Sequence, residues 1–194
     1  LSWNNRMADV FTIAHELGHA GHFRLCNGAQ SLFDTNVSGY LIEAPSTMNE
    51  LLLAQDLLRK NTDKRFRRWV LSSLIGHTYY HNFVTHLREA WYQREAMNII
   101  ELGGAVNAET LSGIFRKNLE TFWGDAVELT EGCELTWMRQ PHYYMGLYSY
   151  TYSAGLTLAT QAALNIAAEG ESAVARWRAM LEAGSTRDPL RSEE

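Results

Sequence analysis

Apolar residues recur at helical spacing along almost the whole chain, and no stretch alternates as a half-buried strand must. This pattern predicts an all-α protein. Only three prolines interrupt it. A first helix is expected from about Met7 to Cys26, ended by Asn27-Gly28. A polar loop over 29–39 leads to a second helix that carries Glu43 and runs through Leu58. Asn61-Thr62-Asp63 reads as a cap for a long helix from Asp63 to Glu101, closed by Gly103-Gly104. Asn107 caps a helix over Ala108–Phe122, and a short helix is expected near Glu134–Met138. A small, apolar helix follows over 155–168. Gly170 breaks it, and a last helix runs from Glu171 to Ala183, with a tail over Ser185–Glu194.

With 194 residues the chain can bury the core of one domain. Its net charge of −5 and single basic cluster, Arg65-Phe66-Arg67-Arg68, argue against nucleic acid as a partner. No apolar run is long enough to span a bilayer, so no membrane partner is expected, and no signal-peptide pattern opens the chain. The two cysteines, Cys26 and Cys133, make no CxxC pair, so two free thiols in a reducing, cytoplasmic setting are expected.

Within the first helix stands His15-Glu16-Leu17-Gly18-His19. Positions four apart lie one turn above each other, so His15 and His19 can offer two imidazole nitrogens to one zinc ion. Glu16, on a neighbouring face, can act as a general base on an attacking water. Leu17 and Ala14 read as the core side of this helix. Gly18 costs about 1 kcal/mol relative to alanine, which suggests close packing at its backbone.

A third ligand is needed for a catalytic zinc site. His22 shares the face, but seven residues of straight helix rise about 10.5 Å and keep it from the ion that His15 holds. Glu43 is the better candidate, because the chain between has room to turn and bring a second helix alongside. His22 is then a residue that supports the site from behind, one that faces substrate, or a packed histidine. Glu50 shares a helix face with Glu43 and is expected to accept the second N–H of a metal-bound histidine, with an ordinary paired glutamate as the alternative. His77 and His81 are also four apart, but no glutamate follows His77. They read as packed or channel-facing residues.

Three segments together resemble the oligoendopeptidase F branch of the thimet oligopeptidase-like zinc metallopeptidases: His15–His19, Glu43-Ala44-Pro45-Ser46-Thr47-Met48-Asn49-Glu50, and Pro141-His142-Tyr143-Tyr144 through Gly155. The resemblance runs to the end of the chain. It implies a gluzincin-type helical catalytic domain with one Zn²⁺ held by His15, His19 and Glu43. It also implies an oligopeptide substrate cut at internal bonds. His142, Tyr143 and Tyr150, with Tyr148 as the substitute, would steady charge on the carbonyl oxygen. Members are several hundred residues long, so residues 1–194 are expected to be a single helical catalytic domain or a fragment of one. A missing upstream region, or another chain, would complete the channel. Two other readings stand beside this one: a zinc carboxypeptidase with the same ligand pattern, and a zinc-binding helical fragment without catalysis.

Overall fold

The computed structural model describes residues 3–189, and every regular element among them is helical. The last residues of the expected tail, 190–194, lie outside the described residues. No described helix is long and apolar enough to cross a membrane. The chain divides into two compact units, Leu1–Phe83 with Thr151–Glu194, and Val84–Tyr150.

The first unit opens with α1, Met7–Ala29. Its start is fixed by Asp9, whose carboxylate accepts from the backbone N–H of Arg6 at 2.9 Å and of Asn4 at 2.8 Å. These bonds hold the Asp9 carboxyl below its usual range. The second helix, α2, spans Ala44–Lys60 with Pro45 in its first turn, where a missing N–H costs nothing. Glu43 is therefore the residue that caps this helix rather than one inside it. Next comes α3, Lys64–Ser73, capped by Asp63 as expected: its side chain accepts from the Phe66 N–H at 2.7 Å.

The long helix expected from Asp63 does not stay in α register. After α3 the backbone widens into π-helical stretches, Leu74–Tyr79 and His81–Thr85. Helical periodicity cannot distinguish these from α-helix, because the apolar pattern survives a single widened turn. The unit resumes at Thr151 within α6, Tyr150–Glu169, and continues through α7, Glu171–Glu182, after Gly170. Its core joins Met48 and Leu51 of α2 to Leu156, Ala159 and Ala163 of α6, with Trp177 of α7 packed against them. The end of α1 meets the end of α7, where the Gln30 side chain donates to the Glu182 carbonyl at 2.7 Å.

The second unit holds α4, His86–Glu101, and α5, Ala108–Trp123. Asn107 caps α5 by accepting from the Thr110 N–H at 2.9 Å. Short 3₁₀ turns follow at Cys133–Met138 and Pro141–Tyr144. An aromatic core of Tyr92, Phe115 and Tyr143, with Leu119, closes this unit.

Candidate metal centre

The α1 helix carries His15 and His19 on one face, with ring centroids 5.1 Å apart and ring planes near perpendicular at 79°. Between α1 and α2 the chain turns back, and the first turn of α2 runs along that face. Glu43, only 2 % exposed, points its carboxylate between the two rings. Its Oε2 lies 3.4 Å from His15 Nε2 and 3.3 Å from His19 Nε2. One donor atom from each of the three residues falls within 4.8 Å of the others.

The chemistry of this donor set fits a divalent metal that takes nitrogen and oxygen together. Glu43 sits at the N-terminus of α2, where the helix dipole favours negative charge. The Ser46 hydroxyl lies 2.9 Å from its Oε2. His15 Nδ1 is 2.7 Å from Glu50 Oε1. An ionised carboxylate can only accept, so Nδ1 carries a proton towards Glu50, and Nε2 is the nitrogen that faces Glu43. Burial pushes the His15 imidazolium down, and its hydrogen bonds to Glu43 and Glu50 more than reverse this, raising it to about 9. The geometry thus favours positive charge between this ring and Glu43.

Two glycines let the backbones close on the carboxylate. A Cβ on Gly18 of α1 would lie 2.3 Å from the Pro45 carbonyl oxygen and 2.5 Å from Ser46 Cα. A Cβ on Gly155 of α6 would lie 2.6 Å from the Glu43 carbonyl carbon. The start of α2 is held between these two bare backbones. Asn49 adds a tie to α1 by donating to the Ala14 carbonyl at 3.0 Å.

Leu17 corrects one sequence expectation, for it is 59 % exposed. The buried stripe of α1 is Gly18, His22 and Cys26 instead. Apolarity misidentifies the inner face here because that face admits another backbone at Gly18 and buries a histidine at His22. Glu16 lies beside Leu17 on the exposed side.

His22 does not join the three converging donors. It is buried at 3 % exposure, and its Nδ1 has no hydrogen-bond partner. Burial, and then the charge of His19, push its pKa down to about 4. The unfolded chain takes up this proton first, near the ordinary value of about 6.5. The stability His22 contributes is therefore complete above about 6.5 and lost as pH falls towards about 4. In chelator-treated protein, urea titrations at pH 7 and pH 4 should show His22→Leu losing less stability than wild type, by up to about 3 kcal/mol. Equal losses in the two proteins would remove His22 as a source of acid sensitivity.

The remaining candidates from the sequence lie in the second unit. His142 stacks on Tyr148 with centroids 5.4 Å apart and meets His86 edge-on at 6.2 Å. Its Nδ1 is 3.0 Å from the Gln140 amide nitrogen, and its carbonyl accepts from Gln93 at 3.0 Å. Tyr143 packs edge-on against Tyr92 at 4.9 Å, and its hydroxyl is shut away from solvent. Burial first, and the nearby Glu89 carboxylate second, push that phenol well above its usual range. Tyr150 opens α6 and is 38 % exposed. His77 and His81 are both exposed, which sets aside the packed reading, and neither belongs to the converging donor group.

The sequence reading missed four residues around the site. Ser46 and Gly155 touch Glu43 itself. Thr78 donates to Glu50 Oε2 at 2.6 Å, and Asn82 donates to the Thr78 carbonyl at 2.6 Å. A serine three residues past a candidate ligand is a readable signal. A lone threonine in a long helical stretch is not.

The sequence model described as peptidase family M3 matches residues 3–192. Oligopeptidase PepF of Bacillus subtilis (strain 168) is 27% identical over 190 residues, covering 98% of this chain and 28% of its own length. Oligoendopeptidase F (plasmid) of Lactococcus lactis subsp. cremoris is 26% identical, covering 98% of this chain and 31% of itself. The chain thus spans about a third or less of the length of these relatives. The solved oligoendopeptidase-F from Enterococcus faecium superposes with a TM-score of 0.75 at 27% identity, over 96% of this chain and 33% of that one. A solved chain from Chlamydophila abortus gives a TM-score of 0.77 at 24% identity, over 99% of this chain and 32% of its own, a likeness of fold.

Proposed function

Because the chain belongs to peptidase family M3, we propose that it is the zinc-bearing part of a metallopeptidase that cuts internal bonds of oligopeptides. The observation that supports this most is the approach of His15 Nε2 and His19 Nε2 to one oxygen of a buried glutamate, at 3.4 and 3.3 Å. In this reading His15, His19 and Glu43 hold one Zn²⁺. Bound zinc would polarise the scissile carbonyl and lower the pKa of a water towards about 7. Glu16, exposed beside the ligands, takes the proton from the attacking water and passes it to the leaving amine. Glu50 keeps the His15 ring in the tautomer a ligand needs. His142 and Tyr150 donate to the carbonyl oxygen as charge gathers on it. Tyr143 is assigned the same role in this reading. The proposal includes a cytoplasmic setting, supported by two free thiols, Cys26 and Cys133.

The test is metal content of the purified chain. Wild type should carry about one equivalent of zinc, Glu43→Ala should carry none, and His22→Ala should keep it. A folded wild type without zinc would sink the reading. Cleavage of quenched peptides with free and amidated C-termini then separates an endopeptidase from a carboxypeptidase. Loss of cleavage on amidation would favour the carboxypeptidase.

A second reading rests on the share of the relatives that the chain covers, 28% and 31% of their lengths. Here the chain binds zinc and turns over substrate only with the rest of such a protein. Adding the remainder of a longer relative in trans, and seeing turnover appear, would support it.

A further inference from the structure

The π-helical stretch Leu74–Tyr79 carries one buried hydroxyl, Thr78, at 1 % exposure. Its Oγ1 donates to Glu50 Oε2 at 2.6 Å, while the other oxygen of that carboxylate takes the His15 Nδ1–H at 2.7 Å. Both Glu50 oxygens are thus occupied, one by the ring and one by the hydroxyl. The Thr78 backbone is itself held. Asn82 donates its side-chain amide to the Thr78 carbonyl at 2.6 Å, and Ser153 of α6 donates to the Asn82 carbonyl at 2.6 Å. Asn82 and Ser153 are buried, at 4 and 7 % exposure. In a regular α-helix the Thr78 carbonyl would accept the Asn82 backbone N–H. Here the backbone bonds run one residue further, as in Tyr80 N–H to the Ile75 carbonyl, and the Asn82 side chain reaches the Thr78 carbonyl.

We propose that Thr78 is a positioning residue for the metal centre: the π turn aims its hydroxyl at Glu50, and Glu50 in turn fixes the His15 ring. The inference rests on the reading of His15 as a zinc ligand. A widened turn costs stability unless something compensates for it, and such turns are found disproportionately at functional sites. Here the compensation is a chain of side-chain bonds that ends on a ligand. Without the hydroxyl, Glu50 keeps one oxygen unpaired in a largely buried place and is free to rotate away from His15. Removing the group bonded directly to a ligating histidine, here Glu50, typically changes metal affinity by about 10–100-fold, and Thr78 acts through that group.

The experiment compares zinc affinity, by competition with a chromophoric chelator, in wild type, Thr78→Val and Thr78→Ser, with the visible spectrum of the Co²⁺-loaded proteins as a second readout. Valine keeps the shape and loses the O–H, while serine keeps the O–H. Thr78→Val should weaken zinc by about tenfold or more and shift the Co²⁺ bands. Thr78→Ser should bind nearly as wild type does. The same valine change made in Glu50→Ala should add little, because Thr78 acts through Glu50. A purely structural role would lower affinity equally in both backgrounds and would overturn the proposal. So would wild-type affinity in a folded Thr78→Val. If that variant does not fold, Thr78→Ala carries the same comparison. A folded wild type that takes no zinc would remove the metal reading itself. Tight zinc in both wild type and Thr78→Val would leave that reading standing and remove only the role of Thr78.

Discussion

Gly18→Ala should dismantle the metal centre, although in most helices the same change is favourable. A solvated glycine-to-alanine change in a helix gains up to about 1 kcal/mol. At Gly18 the new methyl would sit 2.3 Å from the Pro45 carbonyl oxygen and 2.5 Å from Ser46 Cα. Both are backbone atoms of the first turn of α2, so no side-chain rotamer can relieve the overlap. The two helices must separate, and Glu43 moves with α2 while His15 and His19 stay on α1. Overpacking alone costs about 1–3 kcal/mol, and lost helix contacts add to it. Metal sites tolerate only tenths of an ångström in donor placement. We expect a stability loss of about 3 kcal/mol or more, and zinc weakened by at least about 100-fold. Gly21, in the same helix, meets nothing within 4 Å and is the matched control. Gly21→Ala should be neutral or stabilising. Urea melts and chelator competition on the two variants check both halves, and a Gly18→Ala protein that binds zinc like wild type would refute the packing argument.

Glu16→Gln should separate metal binding from chemistry. Glu16 is exposed and is not one of the three converging donors, so its amide should leave zinc content unchanged. The amide cannot take a proton from water. A positioned base contributes about 10²–10⁴-fold, so turnover should fall by at least about 100-fold while the KM for a quenched peptide moves little. The measurement belongs on a preparation that cleaves peptide. Retention of a tenth of the activity or more would assign the base elsewhere.

Much of this arrangement can be read from the chain because the rules involved are local. His15 and His19 share a face through a fixed helical rise, and Asp63 and Asn107 cap helices through side chains three residues from their partners. Gly18 announces a close approach because glycine is costly in a helix without one. What escapes the sequence depends on distant contacts. Nothing local marks the π turns, whose apolar pattern is that of any helix. Thr78 meets Glu50 across 28 positions, and the chain between them offers no cue. The start of α6, Tyr150-Thr151-Tyr152-Ser153, mixes aromatic and hydroxyl side chains and lacks the apolar spacing that becomes visible only from Gly155 onward. Leu17 misleads for a different reason: the buried side of its helix is Gly18, His22 and Cys26, so large apolar side chains do not mark the inner face.

The slot around Glu43 also sets an order of events for the folding chain. His15, His19 and Glu43 all lie within α1 and the start of α2, so their meeting needs only a short loop to close. The opposite wall is Gly155, more than a hundred positions later, and bringing it in requires a far longer closure. During synthesis the donors can therefore gather while α6 is still unmade, and the carboxylate gains its second wall only when that helix arrives. Of the two walls around Glu43, the one from α6 depends on a contact of far greater sequence separation than the one from α1.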